Sequence, residues 1–514
     1  MPRKFAFSMV QKCCASAYRG VLPVVLSALL ALQGCRFLSG EDSIESALLP
    51  PEGGARVESD VGGEAVTIDS VQARDPQAKL GAQNHQRILE RNGGPYSDRQ
   101  LEELVALITA DLVSQTNEKN RAYSVTLLDS PTVNAFALPG GYLYVTRGLL
   151  ALANDASEVA AVLAHEMAHV LANHGINRSR VSREQDLAAQ VATNVVSNPA
   201  IGQLARRSTE QRMQTFSQNQ ELQADALGIK ISGRAGFDPY GAARFLRSMA
   251  MFTEWRSAVN RVSEDMSTTH PSTPRRIEIA ERHARAFGAP GVGEKRRKRF
   301  LQGIDGMIFG ENASGGTVRG NRFAHTEQGF TFQVPEGFSL SNSETAVLAS
   351  GPRETALRFD SVARKGLQGS ATDYIASGWV NGLDEGSIKR VKVNGMTGAS
   401  ARAQAGDWRF SIHVMPRGDY YYRFILAAPR TNADIGSTGE SIVSTFRGLR
   451  KTEAANFAPL RLRIVTVGAN DDVARLSKRM FGVQRPEQLF RALNGLGPNG
   501  TVKTGDRVKM VTRG

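Results

Sequence analysis

The stretch VLAHEMAHVLANHG, Val162 to Gly175, constrains the fold more than any other part of the chain. His165 and His169 are four residues apart, so in a helix both imidazoles project from the same face. Two histidines placed in this way can bind one tetrahedral zinc ion. Glu166 lies beside the open coordination position, where it can take a proton from a water that the metal activates. The motif alone also fits an ordinary amphipathic helix, so the rest of the chain must decide.

The flanking residues predict where this helix begins and ends. Asp155 precedes Glu158 by three residues, which is the spacing of a capping box. Gly175 stands where a helix-terminating glycine is common. His174 lies nine residues after His165, on about the opposite face of an ideal helix. We therefore expect His174 to be a polar residue near the helix end and not a metal ligand.

A second stretch, QNQELQADALG, supplies a candidate third ligand. Glu221 and Asp225 are four residues apart and share one helical face. Acidic residues at this spacing are also common on solvated helices, but the alanines and leucine around them predict a partly buried helix, where carboxylates need partners. We expect Glu221 to bind the metal. We expect Asp225 to accept the far ring N–H of His165 and so fix its tautomer.

Four stretches in this order resemble one protease family: NAFALPGGYLYVTRGLL, HEMAH, ELQAD and HPSTPRRI. They are similar to the zinc endopeptidases that include the CAAX prenyl proteases and the bacterial heat-shock membrane proteases. They are closer still to the soluble, exported branch, which includes a periplasmic protease that assists or degrades outer-membrane β-barrel proteins. The resemblance covers about residues 80–287 and implies a mainly helical, gluzincin-like domain with one Zn²⁺ per chain. It implies these site residues: ligands His165, His169 and Glu221, general base Glu166, and supporting Asp225.

The resemblance also implies roles for two further segments. The strand that contains Asn134, Ala135, Phe136 and Ala137 resembles the family's active-site edge strand, which aligns an extended substrate by adding it to the sheet. In the exported branch, a histidine in the context of His270 can occupy the open zinc position and hold the enzyme latent. We expect His270 to be such a plug or, failing that, to stabilise the oxyanion during catalysis. The alternative is that His270 only shapes a turn.

The N-terminus predicts export and a lipid anchor. Residues 1–34 form a predicted lipoprotein signal peptide, with a basic start and an apolar run that is too short to span a bilayer. The run ends in LQGC, which resembles a bacterial lipobox and implies a lipidated Cys35. A plain secretory signal is the alternative. Residues 35–80 are rich in Gly, Pro, Ser and acidic residues, and predict a flexible tether. The expected location is the periplasmic side of a bacterial envelope, with the outer membrane favoured.

The remaining chain predicts a multidomain α+β protein. Residues 81–290 are the expected metalloprotease domain, 291–320 a linker, and 321–450 a β-rich domain of unknown role. Residues 461–512 predict a βααβ module that resembles a LysM domain, which implies binding to N-acetylglucosamine-containing glycans such as peptidoglycan. The loop GANDD departs from the family's pattern where the glycan groove forms. The resemblance therefore extends to the fold more than to the binding.

Two classes of function remain open on the sequence. The first is a membrane-anchored, exported zinc endopeptidase that hydrolyses envelope or misfolded proteins. The second is a non-proteolytic outer-membrane assembly or cell-wall-binding factor that retains the protease fold. A binding scaffold has no need of Glu166, so the residues favour the enzyme. The formal net charge of +13 favours anionic surfaces, but without a nucleic-acid motif we expect no nucleic-acid partner.

Overall fold

The structure, a computed structural model, joins a helical region to β-rich sheets and a small C-terminal module. Cys35, the predicted signal peptide and most of the predicted tether lie outside the described residues. Within the part that is described, we find no helix with both the length and the apolar character needed to cross a membrane. The structure describes residues 78–116, 123–138, 140–175, 177, 199–259, 266, 270–312, 315–342, 346–365, 369–432 and 434–513.

The helical region contains eight helices among the described residues and one small sheet. The helices are α1 Ala78–Arg91, α2 Arg99–Val113, α3 Arg147–Leu152, α4 Ala156–Leu171, α5 Pro199–Arg234, α6 Gly241–Ala258, α7 Pro274–Arg285 and α8 Arg297–Ile304. The strands are β1 Ser124–Leu128, β2 Ala135–Leu138 and β3 Tyr142–Thr146.

Helix α4 carries the HEMAH motif and lies in the middle of the core. Val159, Leu163 and Met167 on it are fully buried. Its predicted start is confirmed, because the Asp155 carboxylate accepts the Glu158 N–H at 3.1 Å. The predicted end is wrong. Ala172 is the C-cap and Asn173, with φ 53°, adopts the left-handed conformation that we expected at Gly175.

The small sheet has the order β1-β3-β2. Strand β3 pairs in parallel with β1 and antiparallel with β2. Gly140 and Gly141 have φ values of 87° and 82°, so they form the predicted glycine turn between β2 and β3. Strand β2 is therefore the outer strand on the side of the sheet that packs near α4.

The β-rich region consists of two antiparallel sheets with two helices. A seven-stranded sheet has the order β11-β12-β13-β14-β10-β9-β8, and a four-stranded sheet the order β15-β7-β6-β5. Its elements, together with β4, are β4 Ile308–Phe309, β5 Thr317–Arg319, β6 Arg322–His325, β7 Phe330–Gln333, β8 Ser339–Asn342, β9 Val347–Gly351, β10 Thr355–Ala363, α9 Ala371–Ala376, β11 Leu383–Val393, β12 Met396–Ala405, β13 Trp408–Arg417, β14 Tyr420–Pro429, α10 Ile435–Ser444 and β15 Arg447–Gly448.

His413 on β13 makes the stability of this region sensitive to acid. It is buried beside Ser411, and burial lowers its pKa to about 4, with Glu440 on α10 raising it and Lys389 on β11 lowering it. The unfolded chain binds the proton first as pH falls, since its histidine pKa is near 6.5. His413 therefore does not reduce the free energy of unfolding above pH 6.5, where it is neutral in both states. The free energy of unfolding falls between pH 6.5 and 4, where only the unfolded chain binds the proton.

We expect this loss to reach about 2–3 kcal/mol at pH 4. Denaturant unfolding of the full chain at pH 7 and pH 4 checks it, with His413→Leu as the comparison. The variant should lose less stability between the two pH values than the parent. An equal loss in both proteins would contradict the assignment.

The C-terminal module follows a short connection and has the predicted order of strand, helix, helix and strand. Strands β16 and β17 pair antiparallel, and β4 adds to the free side of β16. The elements from residue 451 onward are α11 Lys451–Ala454, a 3-10 helix Ala455–Phe457, β16 Leu460–Thr466, α12 Val473–Lys478, α13 Pro486–Asn494 and β17 Arg507–Arg513.

This module shares a hydrophobic core with the helical region. Lys509 is fully buried, and its Nζ donates to the backbone oxygens of Ala151, Leu152 and Ala153 at 2.9, 2.9 and 2.7 Å. These carbonyls end helix α3, where a donor satisfies groups that the helix leaves unpaired. The predicted linker 291–320 contains α8, whose side chains Phe300, Leu301 and Ile304 are buried in the same core.

Candidate metal centre

Helices α4 and α5 cross closely enough to bring their polar faces together. At Gly228 on α5, an added Cβ atom would lie only 2.9 Å from the backbone nitrogen of His165. A larger residue would push the helices apart. The contact places Glu221 and Asp225 against the two histidines of HEMAH, as their spacing predicts. All four side chains are at least mostly buried.

Three side chains direct ligand atoms toward one point. The Nε2 atoms of His165 and His169 are 3.0 Å apart. Glu221 Oε2 is 3.4 Å from His165 Nε2, and its Oε1 is 3.5 Å from His169 Nε2. Ligand atoms around a tetrahedral zinc at normal bond lengths lie about 3.3 Å apart. The three separations are close to this value, with one Glu221 oxygen facing His165 and the other facing His169.

The chemistry of these atoms also fits a cation. Within the described part of the chain, Glu221 Oε1 and Glu166 Oε1 are buried without a hydrogen-bond partner. Burying an acceptor without a donor is costly, and a metal ion or a water that it holds removes this cost. The nitrogen and carboxylate ligand set is one that zinc prefers. The residues therefore fit one zinc ion.

The electrostatics of the site couple metal binding to proton release. Burial lowers the pKa of His165, but its contacts with Asp225 and Glu221 outweigh burial and raise the pKa to about 10. Burial and the neighbouring charge of His165 hold the pKa of His169 well below its usual value. A metal binds only the neutral imidazole, so its arrival must displace the proton from His165.

Asp225 and Arg276 support the first ligand. Asp225 Oδ1 lies 2.9 Å from His165 Nδ1, the contact expected from the sequence. Arg276, at the start of α7, binds both Asp225 oxygens at 2.8 Å and lies 3.1 Å from Glu221 Oε2. The sequence analysis missed Arg276, although HPSTPRRI contains it. Its partner Asp225 is 51 residues away, so the local sequence gives no signal that Arg276 is buried.

His270 reaches the same point from a third direction. Its Nδ1 is 2.8 Å from Glu221 Oε2 and 3.3 Å from His165 Nε2, and its Nε2 is 3.8 Å from Glu166 Oε1. Four residues with ligand atoms within 4.8 Å of one another thus form the candidate site: His165, His169, Glu221 and His270.

His174 corrects the sequence analysis. We expected it on the face opposite the metal, but it is buried and its Nδ1 lies 2.9 Å from His169 Nδ1. Its Nε2 lies 3.0 Å from Gln223 Oε1. The expectation assumed an ideal helix through residue 174. The helix ends at Leu171 and the left-handed Asn173 turns the chain back toward His169.

The expected substrate segment lies at the outer edge of the small sheet. Ala135, Phe136 and Ala137 belong to β2, which pairs with β3 on one side only. Asn134 precedes the strand and is fixed by hydrogen bonds with Thr146, from the Thr146 N–H to the Asn134 oxygen at 3.1 Å and from the Asn134 N–H to Thr146 Oγ1 at 3.0 Å. The strand also contacts α4, the helix that carries His165.

Comparison with known proteins agrees with this geometry. Residues 97–284 match the model of Peptidase family M48. This range contains α4, α5 and the four residues of the candidate site.

Several known proteins are similar to part of this chain. A putative beta-barrel assembly-enhancing protease of Vibrio cholerae is 28% identical over 237 residues, which is 44% of this chain and 46% of that protein. The beta-barrel assembly-enhancing protease of Escherichia coli is 28% identical over 185 residues, or 34% of this chain and 37% of that protein. The mitochondrial metalloendopeptidase OMA1 of Saccharomyces cerevisiae is 31% identical over 158 residues, or 30% of this chain and 45% of that protein. The chain spans less than half the length of each of these relatives.

Proposed function

We propose that the protein is an exported, zinc-dependent endopeptidase. The premise is that residues 97–284 are a family M48 metallopeptidase domain with a metal site of His165, His169 and Glu221. The protein's substrates would be envelope or misfolded proteins. The observation that carries the proposal is that the ligand atoms of three side chains, His165, His169 and Glu221, converge beside Glu166. The buried Oε1 of Glu166 has no hydrogen-bond partner among the described residues.

When bound, zinc would polarise the scissile carbonyl and lower the pKa of water at the site. Glu166 would take the proton from the attacking water and deliver it to the leaving amine. Burial raises the pKa of Glu166, and the nearby His270 and His165 oppose the rise. A raised carboxyl pKa suits a group that must both accept and return a proton near neutral pH.

The remaining residues would hold these groups in place. Asp225 orients His165, and Arg276 neutralises the buried charge of Asp225 while it also contacts Glu221. The free edge of β2 would pair with an extended substrate and lay it across the site. An enzyme of this kind prefers unfolded segments, because only they can add a strand.

The proposal is tested with casein as an unfolded substrate and zinc-loaded protein that lacks the first 35 residues. Mass spectrometry of the fragments should show internal cuts, as expected of an endopeptidase. Folded proteins of similar size should resist. Absence of cleavage by zinc-bound parent would point to latency or to the second candidate, a non-proteolytic assembly or cell-wall-binding factor. Absence of cleavage by zinc-bound His270→Ala as well would favour the second candidate.

We further propose attachment to the envelope through a lipidated Cys35 and contact with peptidoglycan through the C-terminal LysM-like module. The lipobox-like LQGC, the names of the bacterial relatives and the strand-helix-helix-strand order of the module support these proposals. Cys35→Ala should move the protein from the membrane to the soluble fraction. A pull-down on purified peptidoglycan that leaves the full-length protein in solution would remove the cell-wall role.

We propose that His270 is a plug that holds the enzyme latent. Its Nδ1 lies 3.3 Å from His165 Nε2, which is the separation expected between two zinc ligands, and 2.8 Å from Glu221 Oε2, which is a hydrogen-bond distance. His270→Ala should therefore raise the hydrolysis of a short fluorogenic peptide, by about tenfold or more if the plugged state holds most of the protein. A fall in turnover would assign His270 to oxyanion stabilisation. An unchanged rate would leave it only a role in shaping the turn.

A further inference from the structure

The two histidine ligands are supported in different ways. His165 contacts a carboxylate, Asp225, which Arg276 neutralises. His169 instead contacts another imidazole, His174, which in turn contacts the amide of Gln223. We propose that His174 is a positioning residue that holds His169 in its metal-binding tautomer through a hydrogen-bond relay that ends at Gln223. The inference rests on the metal site of the proposed function.

The positions of the protons follow from the acceptor at the end of the relay. Gln223 Oε1 can only accept, so His174 Nε2, at 3.0 Å, must donate to it. With this proton on Nε2, the Nδ1 atom of His174 can accept a hydrogen bond across 2.9 Å from His169 Nδ1. His169 consequently carries its proton on Nδ1. Its Nε2, which faces His165 Nε2 at 3.0 Å, is left bare for a metal ion.

The relay is built into the backbone on both sides. Gln220 Nε2 donates to the backbone oxygen of His174 at 3.1 Å and so fixes the turn after α4. Asn173, with φ 53°, is the residue that bends the chain back. Gln223 lies on α5, two residues after the ligand Glu221. The relay thus ties the end of one ligand helix to the other ligand helix and orients the ring of His169 between them.

Removal of the relay is expected to change the orientation and tautomer of His169, because it takes away the acceptor of the His169 Nδ1–H. Loss of such a support commonly weakens metal affinity by about 10–100-fold. A residue with a purely structural role would lower the stability of the fold without this specific effect on metal binding. Zinc affinity therefore separates the two roles independently of any catalytic assay.

The test measures the zinc dissociation constant of the full chain by competition with a chromophoric chelator. His174→Leu should bind zinc about 10–100-fold more weakly than the parent. His174→Asn should recover most of the affinity, because its amide oxygen can accept from His169 Nδ1. Gln223→Leu should weaken binding by a smaller factor, since it removes only the end of the relay. His413→Leu, which replaces another buried histidine far along the chain, should bind as the parent does.

Circular dichroism of each metal-free variant reports whether it is folded. Parent-like zinc binding by His174→Leu would overturn the inference, and so would equal losses in His174→Asn and His174→Leu with the fold retained. If His174→Leu does not fold, Gln223→Leu decides, and parent-like binding in that variant would overturn the relay. If the parent itself binds no zinc, the proposed function fails together with the relay. If the parent binds zinc and only the relay variants behave unexpectedly, the proposed function stands.

Discussion

Glu166→Gln is expected to abolish proteolysis while zinc binding stays at the level of the parent. The amide keeps the size of the side chain but cannot accept the proton of the attacking water. Glu166 lies beside the ligand atoms and is not one of the four residues that form the candidate site. General acid–base catalysis of this kind contributes about 10²–10⁴-fold, so turnover of casein should fall by at least the lower figure. Casein hydrolysis rates check the loss of proteolysis, and chelator competition on the same samples checks that zinc binding is retained.

Helix α4 provides a matched control for this variant. Glu158 is also fully buried on α4, eight residues before Glu166, and it contacts Asn154 and Arg244 and not the metal site. Glu158→Gln should therefore keep turnover within a few-fold of the parent. A Glu166→Gln protein that still cleaves casein at the parental rate would remove Glu166 from the role of general base.

Glu221→Ala is expected to have the largest effect on metal binding. The side chain supplies one of three ligands, and a structural zinc site gains roughly 3 kcal/mol from each ligand, so affinity should fall by about 100-fold or more. When zinc is limiting, the rate of casein hydrolysis should fall together with the zinc affinity. The fold should persist, because Asp225, which lies on the same face of α5 as Glu221, still pairs with Arg276 of α7. Chelator competition and circular dichroism together check the prediction.

Glu254→Gln is the control for general effects of charge, since Glu254 is an exposed glutamate on α6. It should bind zinc as the parent does. If Glu221→Ala retained parental affinity, the metal would be held by a different set of residues. The four-residue cluster would then be a hydrogen-bonded polar network and not a metal centre.

Part of the site could be predicted from sequence because its residues repeat at helical spacing. His165 and His169 on α4, and Glu221 with Asp225 on α5, each follow a spacing of four residues. Helical geometry alone places each pair on one face. Only the chemistry of the side chains was then needed to bring the two faces together around a metal.

The rest depended on contacts between distant residues. His174 was assigned to the wrong face because nothing in the local sequence indicated that Asn173 ends the helix in a left-handed conformation. Arg276 and Gln223 gain their roles only from partners about 50 residues away. Lys509 packs against the end of α3 across some 360 residues of chain, so no local pattern could show that the C-terminal module shares the core of the helical region.

In the β-rich region, too, the local sequence predicted the elements but not their long-range arrangement. The short apolar runs of the sequence predicted strands there, and strands are observed. The order of the seven-stranded sheet, in which β14 lies between β13 and β10, requires long-range pairing that alternation along one strand does not encode.

The most direct test of the central claim is to restore zinc to metal-stripped full-length protein while the hydrolysis of casein is followed. We predict that the stripped protein is inactive, and that the rate rises with added zinc to a plateau at one zinc per chain. Full activity in the stripped protein, or one tightly bound zinc without any hydrolysis once His270 is also replaced by alanine, would contradict the assignment of a zinc endopeptidase.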